Sequence, residues 1–208
     1  MQMKMGTAMN DILSMQGHCS EFTPLPFGDE NLHAVAAESR TLTNHCIIIM
    51  GVSGTGKSTV GQALSHALRA KFIDGDDLHP RRNIDKMAAG QPLDDTDRQP
   101  WLNRLADVIY SLDKKHENGV LVCSALKKCY RDQLRAANPH LKFLWLHGDF
   151  ERVLARMRQR QGHFMPEALL RSQFSNLEIP GLDEPDVMAV DITPPVDSIV
   201  SQYVHQLR

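Results

Sequence analysis

The chain reads as an α/β protein in which a parallel sheet is covered by helices on both faces. Three observations carry this. Short, continuously apolar runs recur along the sequence, as strands buried on both faces require. Longer amphipathic stretches separate them, each long enough for a crossover helix. The first apolar run ends in a glycine-rich turn, Gly51-Val-Ser-Gly-Thr-Gly-Lys-Ser58, of the kind that joins a strand to a helix.

Cys46-Ile-Ile-Ile-Met50 is the first strand, and the amphipathic stretch after Lys57 is its helix. Lys71-Phe-Ile-Asp74 is a second, shorter strand. Trp101, Leu105, Val108 and Leu112 recur at steps of four, three and four, which lays them on one helix face. Val120-Leu-Val-Cys123, Phe143-Leu-Trp-Leu146 and Val187-Met-Ala-Val190 complete the strands. Val196, Ile199, Val200, Tyr203, Val204 and Leu207 form a closing helical stripe. Crossovers between parallel strands are right-handed, and ligands of such sheets bind outside the carboxyl ends of the strands. Reactive residues are therefore expected just after each apolar run.

The 208 residues are 42% hydrophobic and 23% charged, which suits one globular domain with room for an appendage. A net charge of −2 provides no general basic field, so nucleic acid is not an expected partner. No apolar run approaches the ~20 residues that span a bilayer, so no membrane partner is expected. Cys19, Cys46, Cys123 and Cys129 show neither metal-ligand spacing nor disulfide density. Cys46 and Cys123 sit in apolar runs as small hydrophobes, and the reducing cytoplasm is the expected compartment. Residues 1–44 have no sustained period and no signal-peptide pattern. They are expected to be a disordered extension, preceding a domain over residues 45–208.

The turn at 51–58 fits G-x-x-x-x-G-K-[ST] at every fixed position. Gly51, Val52, Ser53, Gly54, Thr55 and Gly56 would wrap their amides around phosphate oxygens. Lys57, Ser58 and Thr59 open a helix whose positive end faces the same anion. Lys57 reaches the β and γ phosphates, and the Ser58 hydroxyl suits Mg²⁺. After the second strand, Asp74 and Asp76 lie two apart, on one side if strand geometry persists. One carboxylate would serve the metal or its waters, the other a proton from an attacking hydroxyl. Arg81 and Arg82 open a helix against its dipole, which points to an anionic ligand. Lys127, Lys128 and Arg131 put positive charge after the third strand, Val120–Cys123. Arg152, Arg156 and Arg160 stack at i, i+4 spacing and call for a polyphosphate counter-charge. Gly162-His-Phe and Pro166 then interrupt the helix, which suggests a mobile lid over about 156–166.

At these residues the sequence resembles the gluconokinase family, ATP-dependent kinases of D-gluconate. The resemblance lies in the phosphate loop, Asp74-Gly-Asp-Asp-Leu-His-Pro80, Asn83-Ile-Asp-Lys-Met87 and Asp97-Arg-Gln-Pro-Trp-Leu102. It continues in Cys123-Ser-Ala-Leu-Lys-Lys128 with Tyr130-Arg-Asp132, and in Gly162-His-Phe-Met165, which is similar to bacterial forms linked to L-idonate and gluconate catabolism. It runs from about Ile47 to Leu207 and leaves residues 1–44 outside. It implies a P-loop fold like the nucleoside-monophosphate kinases, with a five-stranded parallel sheet and a flexible lid, often as a homodimer. It implies transfer of phosphate from ATP, with Mg²⁺, to the 6-hydroxyl of gluconate. Asp74 would then sit near the metal and Asp76 would bind the acceptor hydroxyl. Arg156 resembles the arginine that packs on adenine, and Arg160 would approach the phosphates. Arg81, Lys127, Arg131 and His163 are candidate substrate residues, inferred mainly from charge.

Three other readings compete. The acceptor could be shikimate, adenylylsulfate or another sugar acid. Alternatively the chain could be a nucleotide-dependent switch, but such proteins carry an Asp at the end of a core strand, where Ser124 stands here. A polynucleotide kinase would need a basic groove with stacking aromatics, and only 6% of the chain is aromatic.

Overall fold

The computed structural model describes residues 45–159 and 166–207. The expected extension over 1–44 lies outside the described residues. Five parallel strands form one sheet in the order β2-β3-β1-β4-β5. They are β1 (Cys46–Met50), β2 (Lys71–Asp74), β3 (Gly119–Val122), β4 (Lys142–His147) and β5 (Val187–Asp191). Each matches an apolar run of the sequence to within a residue or so at its ends. The order sets the glycine-rich turn at the carboxyl end of the central strand.

β1 is central and buried along its whole length. Its side chains alternate between two cores, as the period of a strand requires. Ile47 and Ile49 face one core with α1 (Lys57–Ala67), α5 (Phe150–Gln159), α6 (Glu167–Asn176) and α7 (Val196–Gln206), which contribute Leu64, Val153, Leu170, Ile199 and Tyr203. Cys46, Ile48 and Met50 face the other, with α3 (Asp95–Lys114) and α4 (Lys128–Ala137) supplying Trp101, Leu105, Ile109 and Leu134. The α3 stripe runs through Ile109, with Val108 only half-buried beside it. A short α2 (Arg81–Ala88) precedes α3. Among the described residues no helix is long and apolar enough to cross a membrane.

β1 lies between β3 and β4, and the chain that leaves it for β2 and β3 on one side returns past it to β4 on the other, so a crevice opens above its carboxyl end. A buried ionic knot fixes the loop before β5. Arg131, fully buried on α4, grips Glu184 through two bonds of 2.7 and 2.6 Å and donates to the Ala125 and Leu126 carbonyls at 3.1 Å. Arg135 joins Glu184 at 2.7 Å and Asp186 at 2.8 Å. Arg131 and Arg135 together hold the Glu184 carboxyl down at about 2. Glu184→Gln leaves Arg131 buried without its counter-charge, and truncating a buried pair costs about 3–5 kcal/mol. Because the folded carboxyl titrates below its unfolded value, its stabilisation is complete above pH ~4.5 and disappears toward pH 2. Urea unfolding should therefore show a large wild-type advantage at pH 7 that narrows as the pH falls through that window.

Candidate active site

The phosphate loop spans β1 to α1 in the crevice. Its shape depends on left-handed backbone at Gly51, Gly54 and Gly56, with φ of 137°, 86° and 94°. A Cβ on Gly51 would meet the Leu146 carbonyl oxygen at 2.4 Å, and one on Gly54 would meet Met157 Cγ at 2.6 Å. Thr55 Oγ1 closes the turn on the Val52 carbonyl at 2.9 Å, and Gly51 N ties it to the Ser124 carbonyl at 3.1 Å. Lys57 Nζ donates to the Val52 carbonyl at 3.1 Å, so the ammonium lies along the loop. Gly56 caps α1 with no side-chain cap bond. The first amides of the helix are thus left for an anion.

Strand geometry ends at Asp74. The chain enters a 3₁₀ turn, Gly75–Leu78, which Asp74 Oδ1 caps by accepting from Asp76 N at 3.1 Å. Asp74 and Asp76 therefore do not share a face as strand neighbours. The turn nonetheless brings both to a cavity of about 150 Å³ with Ser53, Lys57 and Ser58. Burial raises the Asp74 pKa above the usual carboxylate value, with the neighbouring Asp76 and Asp77 charges adding to the rise; the Asp76 amide and Lys57 oppose it. A carboxylate under that pressure gains from a cation. Together with the Ser58 hydroxyl it makes a hard oxygen donor set that fits Mg²⁺, an ion held by one or two carboxylates plus substrate phosphates.

Behind the acidic turn stands a buried scaffold. Trp101 Nε1 donates to the Gly75 carbonyl at 2.7 Å, and the indole stacks on His79 at 4.5 Å. Burial, aided by the Arg98 charge, lowers the His79 pKa to about 4, so the ring is neutral at pH 7. Its Nδ1 pairs with Asn83 Nδ2 at 3.2 Å, and Asn83 also donates to the Asp97 carbonyl at 2.8 Å. Asp97 closes a capping box with Asp94 at the start of α3. Lys86 and Arg82 hold its carboxyl well below the usual range, Arg82 at 2.6 Å.

A second cavity, about 470 Å³, opens on the other side of the loop. Thr59, Arg156, Ile192, Pro194 and Pro195 are among its walls. Arg156 Nη2 donates to the Ile192 carbonyl at 2.6 Å, which holds the guanidinium on the wall of this cavity.

Several expected residues lie elsewhere. Arg131 is not a substrate residue, because its guanidinium is fully buried and spent on Glu184 and two carbonyls. Arg82 meets the protein carboxylate of Asp97. Lys127 caps α4 with its ammonium on Asp95 at 2.7 Å, beside the Tyr130 hydroxyl bound to the same carboxylate. Arg152 is compensated by Asp149 and Asp191. Arg81 is exposed at the start of α2. Arg160 and His163, with the lid expected around them, fall at 160–165, outside the described residues; Arg156 belongs to regular helix. Two neighbours of the loop belong to no sequence motif: Met157 against Gly54 and Gln173 bonded to Ser53. Arg98, from the block that begins at Asp97, lies half-buried over the Tyr130 ring at 6.0 Å.

Comparison with known proteins accords with this geometry. Residues 53–208 match the family profile described as Shikimate kinase. The thermosensitive gluconokinase of Escherichia coli (strain K12) is 56% identical over 161 residues, covering 77% of this chain and 86% of that protein. The thermoresistant gluconokinase of the same strain is 47% identical over 165 residues, covering 79% and 94%. The crystal structure of a gluconokinase from Sinorhizobium meliloti 1021 superposes with a TM-score of 0.72 at 45% identity, covering 78% of this chain and 91% of that one. With identities of 45–56% over more than two thirds of each of these chains, the chain belongs to the gluconokinase family and has its P-loop kinase fold.

Proposed function

We propose that the protein transfers the γ-phosphoryl group of ATP to the 6-hydroxyl of D-gluconate, giving 6-phospho-D-gluconate and ADP. The observation that carries this reading is the single cavity shared by Lys57 and Ser58 of the phosphate loop and Asp74 and Asp76 of the acidic turn. The loop amides after Ser53, whose own N–H is taken by Gln173, hold the β and γ phosphates with Lys57 and meet the charge that develops during transfer. Asp76 accepts the hydroxyl proton and aims the oxygen in line with the phosphorus. Ser58 and Asp74 would hold Mg²⁺, which when bound neutralises phosphate charge. Arg156 with Pro194 and Pro195 forms the slot for the adenine.

The gluconate carboxylate needs a cation on the acceptor side. Arg98 and Arg81 are the candidates there, with Lys127 available if it exchanges Asp95 for substrate. Arg160 and His163 complete the proposed set for phosphates and substrate. The reading places the reaction in the cytoplasm, in keeping with the free thiols of Cys46, Cys123 and Cys129, and includes a homodimer that sedimentation velocity would test.

A coupled ADP-release assay over gluconate, L-idonate, shikimate and adenylylsulfate tests the acceptor. Gluconate should exceed shikimate and adenylylsulfate in kcat/KM by at least about 10³, because a site built to pair a substrate's polar groups rejects analogues that leave them unpaired. Preference for either of those two would overturn the assignment. Trp101→Phe removes the bond to the Gly75 carbonyl while keeping an aromatic ring beside His79. A buried acceptor left unpaired costs about 1–3 kcal/mol, so kcat should fall about tenfold as the acidic turn loosens, with KM for ATP unchanged in steady-state kinetics.

A further inference from the structure

The phosphate loop is tied to a helix that supplies none of its sequence motif. Gln173, on α6, accepts from Ser53 N at 2.7 Å through Oε1 and donates to Ser53 Oγ at 3.0 Å through Nε2. One side-chain amide thus grips both the backbone and the side chain of a single loop residue, 120 positions away. Its base is rigid. Leu170, one turn before Gln173, is fully buried in the core, and Phe174 packs edge-on against Phe150 at 5.3 Å. The next loop residue, Gly54, is backed by Met157 and Val153 of α5.

We propose that Gln173 is a positioning residue for nucleotide binding, holding the phosphate loop in its anion-ready shape before ATP arrives. With Ser53 N satisfied by Gln173, the loop has one orientation, and the amides that follow it are aimed into the crevice without rearrangement. Preorganised donors bind an anion more tightly than donors that must first be ordered. Gln173 touches no reacting atom. The inference rests on the reading of this loop as the ATP site.

The test is direct titration of ATP by calorimetry, with kinetics on the same proteins. Gln173→Met keeps length and approximate volume and removes both hydrogen bonds. Its Kd for ATP should rise about tenfold, as expected for two neutral hydrogen bonds, with kcat at saturating ATP within about twofold and KM for gluconate unchanged. Ser53→Ala removes one bond and should weaken ATP about threefold in the wild-type background, but hardly at all in Gln173→Met, because the two groups act as a pair. A merely structural role would lower Tm and leave the Kd for ATP and the KM pattern unmoved, which would overturn the proposal. Tighter ATP binding by Gln173→Met would also overturn it, by showing that the amide competes with phosphate. Multiplicative effects of the two substitutions would do the same. Failure of the wild type itself to bind ATP would instead refute the underlying nucleotide site.

Discussion

Asp76→Asn is expected to lower kcat with gluconate by about 10²–10⁴, the usual worth of a general base. The substitution keeps the size of the side chain and the 3₁₀ turn, since the bond that caps the turn uses the Asp76 amide and the Asp74 carboxylate. What is lost is the negative charge and, in the proposed mechanism, the proton acceptor for the hydroxyl. Phosphoryl transfer has a loose transition state, so much of the loss reflects orientation of the hydroxyl rather than early proton removal. Affinity for ATP should hold within about threefold, because Lys57 and the loop amides are untouched. Steady-state kinetics with gluconate, beside ATP titration of the same variant, separates the outcomes. Turnover near wild type would remove Asp76 from the base position. A collapse of ATP binding would assign Asp76 to the metal and make Asp74 the acceptor-side carboxylate.

Lys57→Ala is expected to cost about 10²–10³-fold in kcat/KM for ATP. Its ammonium lies along the loop at the Val52 carbonyl, on the wall of the cavity that also holds Asp74 and Asp76. Removing a charge clamp from the transferring group takes away about 3–4 kcal/mol of transition-state stabilisation, while Lys57, only half-buried on the cavity wall, leaves the sheet and its two cores in place. Circular dichroism should show an unchanged fold and a Tm within a few degrees of wild type. Retained turnover would contradict the role given to the loop.

The sheet was legible because its strands are buried on both faces and so appear as unbroken apolar runs. β2 was the least distinct run for a physical reason: it is an edge strand, half-exposed, and only four residues long. The phosphate loop could be read in full because its function is written in backbone geometry, which demands glycine at fixed places. Charge was a poorer guide. Arg131 and Arg82 follow strand ends, where cations serve ligands, but their partners are Glu184, 53 residues away, and Asp97, 15 residues away. No local period records such pairings. Asp74 and Asp76 converge on one cavity, yet by a capped turn and not by the alternation of a strand. Gln173 left no trace at all, because a neutral amide on an amphipathic helix looks like any solvated residue until Ser53 is found opposite it.

The identity of the product tests the central claim most directly. The purified protein, given ATP, Mg²⁺ and D-gluconate, should yield one new phosphate monoester whose phosphorus couples to the two protons on carbon 6 in ¹H–³¹P correlation NMR, with ADP formed in equal amount. Phosphorus coupled to a proton at any other carbon, or ADP formed with inorganic phosphate and no ester, would contradict the account.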